Sequence, residues 1–200
     1  VSIWFTAHYK INNKYISIYV YGLYFSDMKI YTLLLLFAPA IAFSQSLTEN
    51  KKDEFSGKHV KETTVEKLVH PFKMSGFAYN FSIKKIDENY YFNLRMMSLD
   101  GSVFSIHKES KFMLKLKNDS IITLISPSYE ISGRGGAGSG LSASASQGVS
   151  IYYPISRDNI DAILASDIVK IRVITSEGYT EQEVKEVGSK KVKKALSLVL

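Results

Sequence analysis

Four stretches of this chain alternate apolar and polar residues with a period of two, and no helix can keep such a set on one side. In "FAYNFSI", Phe77, Tyr79, Phe81 and Ile83 share a face. In "YYFNLRM", Tyr90, Phe92, Leu94 and Met96 do the same. "KFMLKLK" sets Phe112, Leu114 and Leu116 against Lys111, Met113, Lys115 and Lys117. "IVKIRVIT" sets Val169, Ile171 and Val173 against Lys170 and Arg172. Each reads as a half-buried strand. Asp87-Glu88-Asn89 separates the first two and predicts a hairpin. Asn118-Asp119 precedes "SIITLIS" and predicts a second, because Asn and Asp tolerate the positive φ of a tight turn. "VSIYYPIS" supplies a further strand through Val149, Ile151 and Tyr153.

The period changes near the C-terminus. In "SRDNIDAILASD", Ile160, Ile163 and Leu164 fall on one helical face, with Ser156 as N-cap and Asp158 near the positive end of the helix dipole. Thr180 and Glu183 in "TEQE" have capping-box spacing. They predict a closing helix that buries Val184, Val187, Val192, Ala195, Leu196 and Val199, with a kink at Gly188-Ser189. Strands followed by helices imply an α+β fold. The expected architecture is one twisted, mainly antiparallel sheet of six to seven strands. Two helices, about 157–166 and 180–200, cover one of its faces. The polar opening "SLTENKKDEFSGKHVKE" reads as a loose arm that becomes a strand near 58–68. The Gly/Ser-rich segment 132–148 reads as a flexible loop.

Ahead of this domain, "MKIYTLLLLFAPAIAFSQS" has the composition of an export signal. A short positive start precedes an uncharged run from Leu33 to Phe43, and two small-x-small cut sites fit, Ala40-Ile41-Ala42 and Ala42-Phe43-Ser44, the second of which releases Gln45 as the new N-terminus. That run is too short to span a bilayer, which takes about 20 apolar residues. The expectation is that 28–44 is a signal peptide, that 1–27 is an upstream extension ahead of a natural start at Met28, and that 45–200 is one domain with no stable membrane span after processing. Removing Lys10, Lys14 and Lys29 from 25 basic residues and Asp27 from 19 acidic ones leaves 22 and 18, a net charge of +4. This is far from the dense basic surface of a nucleic-acid binder. The chain has no cysteine. It therefore has no thiol nucleophile, no cysteine-based zinc site and no lipid-modified N-terminal cysteine.

Motifs with chemistry are sparse. Gly133, Gly135 and Gly138 match G-x-G-x-x-G, but "SGLSASASQG" offers no amphipathic helix to follow it, and there is no P-loop lysine. His59, His70 and His107 stand at no metal-ligand spacing. Serines are many, yet none sits in a G-x-S-x-G elbow. Asp53-Glu54 and Asp87-Glu88 read as solvated charge. Asp119-Ser120-Ile121 fits a short O-glycosylation pattern. No catalytic, cofactor-binding or metal-binding residue is selected, and no cofactor is implied. The one candidate site is a basic face made by Arg95, Lys115, Lys117, Lys170 and Arg172. These residues lie on the outward sides of their strands and suit lipid phosphates or acidic sugars through charge-assisted hydrogen bonds.

"DEFSGK" at Asp53–Lys58, "ISRDNIDAIL" at Ile155–Leu164 and "KIRVITSEG" at Lys170–Gly178 resemble segments of small uncharacterised exported proteins of Gram-negative bacteria. The resemblance implies a periplasmic or cell-surface location and carries no catalytic residues. The resulting expectation is a non-enzymatic exported domain that binds or supports an envelope component. The alternatives are a hydrolytic enzyme without a recognisable motif and an assembly partner of another exported protein.

Overall fold

The computed structural model describes residues 5–11, 14–20, 45–69, 76–137 and 147–200. The chain divides into two compact units, Val1–Phe43 and Ser44–Leu200. In the first, β1 (Phe5–Ile11) and β2 (Lys14–Val20) form an antiparallel hairpin with Phe5 opposite Val20. The expected signal segment, His70 and most of the Gly/Ser loop lie outside the described residues. Among the described residues no helix is long and apolar enough to cross a membrane.

The second unit is α+β and mainly antiparallel, as its alternation requires. Its larger sheet has seven strands. β12 (Gly133–Arg134), β13 (Gln147–Ile155), β7 (Asn89–Ser98), β6 (Phe77–Ile86), β4 (His59–Thr63) and β3 (Leu47–Lys52) lie in that order, and β5 (Glu66–Val69) also pairs with β6. The polar opening is thus an edge strand rather than a loose arm, because its main chain finds a ladder on β4. Both expected hairpin turns form: Asp119 has the positive φ expected of it, 65°, and Asp87 in the other turn also has a positive φ, 51°.

A second sheet of four strands packs against the first. Its order is β10 (Ile121–Ile125), β9 (Lys111–Leu116), β14 (Ile168–Thr175) and β15 (Gly178–Glu183). β8 (Ser105–Ile106) and β11 (Glu130–Ile131) make a short separate ladder. The inner faces meet in one core. Phe112 of β9 packs on Phe92 of β7 and Tyr153 of β13, with ring centroids 5.5 and 5.3 Å apart. All three are fully buried. Alternation assigns each strand an inner face but not the strand opposite it, so the second layer is not readable from periodicity.

Two helices complete the unit. α1 (Arg157–Ala165) is capped by Ser156, whose Oγ accepts from the Asn159 N–H, and it buries Ile160 and Ile163. α2 (Glu186–Val199) packs against β4, β5, β6 and β14 and buries Val192, Ala195, Leu196 and Val199. It starts at Glu186, not at Thr180. Residues 178–183 instead pair along β14, from Thr175 opposite Gly178 to Lys170 opposite Glu183. That ladder satisfies their backbone groups, so the capping-box pattern is not used, and Val187 is left exposed. The helix runs through Gly188 and Ser189 without a break. The Ser189 Oγ accepts the buried Ile168 N–H at 2.9 Å and donates to Asp167 at 3.2 Å, tying the start of β14 to the helix. A bulge at Val169 shifts the β9–β14 register. It turns Ile168 inward and leaves Val169 half-buried.

The core holds one polar defect. The Tyr153 hydroxyl is buried with no hydrogen-bonding partner among the described residues, and burial raises its pKa. An unpaired buried hydroxyl costs about 1–3 kcal/mol. Tyr153→Phe should therefore leave stability unchanged or raise it by about 1 kcal/mol. A urea titration in which this variant is clearly destabilised would mean that the hydroxyl has a partner.

Candidate functional site

The outward face of the four-stranded sheet is covered by neither helix. Register fixes its pattern in three rows. Ile121, Lys115, Lys170 and Glu183 form the first, and Thr123, Met113, Arg172 and Glu181 the second. Two further pairs, Ile125 with Lys111 and Ile174 with Tyr179, form the third, beyond the end of the β9–β14 ladder. Ile121 is 62% exposed and Tyr179 66%. Bare apolar side chains thus alternate with four cations across a single surface.

Four of the five basic residues expected to form a patch come together here. Lys115 and Lys170 are directly paired across β9 and β14, Arg172 is one row on, and Lys117 lies just past the end of β9. Lys115, Lys117 and Lys170 line one shallow groove of about 450 Å³. Arg95 does not join them. It sits on β7 opposite Asn80 and Ser150, on the outer side of the other sheet.

Carboxylates temper the patch. Glu181 is held between Lys170, at 2.7 Å, and the Arg172 guanidinium, whose Nε donates at 2.9 Å. The hydrogen bond from Lys170, then that from Arg172, lowers the Glu181 pKa. The same bond raises that of Lys170. Arg172 also lies over the Tyr179 ring, 4.7 Å from its centroid. Lys115 is paired with Asp119 at 2.9 Å, and both are well exposed. Lys111, Lys115, Lys117, Lys170 and Arg172 against Asp119, Glu181 and Glu183 leave this face at +2. The clamp was hidden in the sequence because it depends on Glu181 falling opposite Arg172.

Arg95 belongs instead to a polar cluster around Glu62. The Glu62 carboxylate accepts from Ser82 at 3.1 Å and from Tyr152 at 3.0 Å, and it pairs with Lys84 at 3.2 Å. Asn93 donates to Ser82 and accepts from Ser150. Burial, then the charge of Glu62, pushes the Tyr152 phenol up to about 12. A phenol so raised is neutral near pH 7 and is no activated nucleophile. The cluster locks β4, β6, β7 and β13 together.

The remaining motifs separate in space. His107 packs on Tyr129, with ring centroids 5.0 Å apart, while His59 is exposed on β4. Among the described residues no three His, Asp or Glu side chains gather as metal ligands. Gly133 and Arg134 form a two-residue strand against Gly148 and Gln147, and Gly135 opens a turn at φ 73°. Ser120 is exposed beside its turn and donates to Asn118. Models of protein families, curated proteins and solved structures give no match to this chain.

Proposed function

We propose that the chain is an exported, non-enzymatic binding domain whose uncovered four-stranded sheet face holds an anionic component of the cell envelope, a phosphate-bearing lipid surface. The carrying observation is the interleaving of exposed Ile121, Ile125 and Tyr179 with Lys111, Lys115, Lys170 and Arg172. Long basic side chains can lay their methylene stems over apolar neighbours and direct their charges outward. That arrangement suits a surface with acidic headgroups above acyl chains. Each cation near such a surface contributes about 1 kcal/mol, so a face at +2 binds weakly and reversibly. Export rests on the signal-like composition of 28–44 and on the resemblance of three segments to exported proteins.

Co-sedimentation of the full chain with vesicles tests this. Vesicles containing phosphatidylglycerol should bind it and neutral phosphatidylcholine vesicles should not, with binding lost as salt shortens the Debye length from about 10 Å at 0.1 M to about 3 Å at 1 M. Lys111→Glu with Lys115→Glu should abolish binding. Glu181→Gln should strengthen it several-fold at neutral pH by freeing Lys170 and Arg172. The pH sign follows. The hydrogen bonds from Lys170 and then Arg172 hold the Glu181 carboxyl below its ordinary pKa, so the clamp is intact at neutral pH and is lost only as pH falls through that lowered pKa. Binding by the unaltered chain should rise as pH falls through the lowered pKa, whereas Glu181→Gln removes this rise. Equal, salt-independent binding to neutral vesicles would overturn the proposal.

A further inference from the structure

Strand edges invite pairing with other chains, and proteins usually guard them with charge or brevity. Among the described residues, the strand edges of Ser44–Leu200 follow that rule with one exception. β3 carries Glu49, Lys51 and Lys52, β5 carries Glu66 and Lys67, β15 carries Glu181 and Glu183, and β12 has two residues. β10 is "IITLI", five residues with no charge, no proline and no glycine at the free edge of the four-stranded sheet. Ile121 and Ile125 are 62% and 43% exposed.

The ladder shows which backbone groups are free. Leu116 N–H donates to the Ser120 carbonyl and Ser126 N–H to the Ser110 carbonyl, both at 2.9 Å. Ile122 and Leu124 stand opposite Leu114 and Phe112. Bonding alternates along an antiparallel strand, so the even-numbered residues of β10 bond to β9. The N–H and C=O groups of Ile121, Thr123 and Ile125 therefore point away from the sheet. A cleft of about 540 Å³ runs beside this edge, between Thr123, Leu124 and Ile125 on one side and Tyr90, Tyr91 and Pro154 on the other.

From this geometry we infer that β10 is a homodimer interface, in which two copies pair antiparallel about Thr123. The strand is self-complementary in that register. Thr123 faces Thr123 of the second copy, and Ile121 and Ile125 face each other twice. Aliphatic cross-strand pairs of this kind favour association. The nearest facing cations, Lys115 and Lys111 of the second copy, are three strand spacings or about 14 Å apart. That exceeds the Debye length of about 8 Å at physiological salt. The two four-stranded sheets become one of eight strands, with an isoleucine strip at its centre and a basic row on either side. An edge contact buries little area, and small interfaces are weak and transient, so the dimer is weak and reversible.

Because the chain has no cysteine, Thr123→Cys introduces a single thiol. Directly bonded residues on antiparallel strands have Cα atoms about 5.5 Å apart, within disulfide reach. Mild oxidation of the full chain should convert Thr123→Cys to covalent dimer much faster than Glu177→Cys, an exposed turn control. Sedimentation equilibrium should show reversible dimers in the unaltered chain. Thr123→Lys should weaken them about tenfold or more, since like charges directly opposed across strands repel. Thr123→Pro should do the same without adding charge, because that N–H serves no bond within the sheet. A monomer at millimolar concentration, a dimer indifferent to both substitutions, or equal cross-linking of the two cysteine variants would overturn the inference. Vesicle binding by Thr123→Pro reads the lipid proposal separately: a monomer that still binds anionic vesicles retains that proposal, and a dimer that binds none removes it alone.

Discussion

Phe112→Ala should lower the unfolding free energy by about 3–5 kcal/mol, the range for deleting a fully buried phenylalanine and leaving its cavity. The expectation sits at the high end because of what the ring joins. It is the point where β9 of the smaller sheet meets β7 and β13 of the larger one, edge-on to Phe92 and tilted on Tyr153. No helix lies behind it to collapse inward, since the opposite side of β9 is the open face. A domain holds only about 5–15 kcal/mol in total, so the loss would shift a urea midpoint far or prevent folding. Ile125→Ala is the matched control on the same hairpin. That side chain is 43% exposed, and its loss should move stability by about 0.5 kcal/mol or less. If the two substitutions had equal, small effects, the sheets would not share a core.

What could be read from the residues and what could not divides along the same line. Period two identified β6, β7, β9, β13 and β14, and it named the inward side of the first four correctly, since the expected residues are buried there apart from Phe77 and Tyr90, which pack partly exposed against the core. Asp87 and Asp119 marked their turns because positive φ is a local property. Partnering is not local. The facing of Phe112 on Phe92, the bulge that exchanges Ile168 for Val169, and the pairing that holds 178–183 in a strand all depend on segments distant in sequence. The candidate site divides in the same way. Lys115, Lys170 and Arg172 pointed outward as alternation required, and their adjacency followed from β9 pairing with β14. Arg95 alternated just as well but belongs to the other sheet, and nothing within "YYFNLRM" could reveal that. Glu181 falls inside the closing helix expected at 180–200, whereas the structure makes it the anion between two of the expected cations.

The seating of α2 yields the other large expected effect, and here two terms oppose each other. Gly188 is the third residue of the helix. Replacing a helical glycine by alanine normally gains up to about 1 kcal/mol, because the backbone loses less entropy on folding. At this position a Cβ would stand 2.6 Å from the Leu68 carbonyl oxygen and 3.2 Å from Val184 Cγ1. The first contact is with backbone, which cannot rotate aside, so either β5 or the helix has to move. Overpacking of this kind costs about 1–3 kcal/mol. The propensity gain is partial in the first turn, so the clash wins and Gly188→Ala should destabilise by about 1–2 kcal/mol. Moving the helix would also disturb the Lys191–Glu66 ion pair, 2.7 Å long and half-buried, which joins the same two elements one turn further on. Gly188→Val adds two methyl groups at the same contact and should cost more than alanine. Urea titration of both variants decides the balance. A stabilised Gly188→Ala would mean that α2 does not lie against the β5 backbone, and the packing of the C-terminal helix would have to be redrawn.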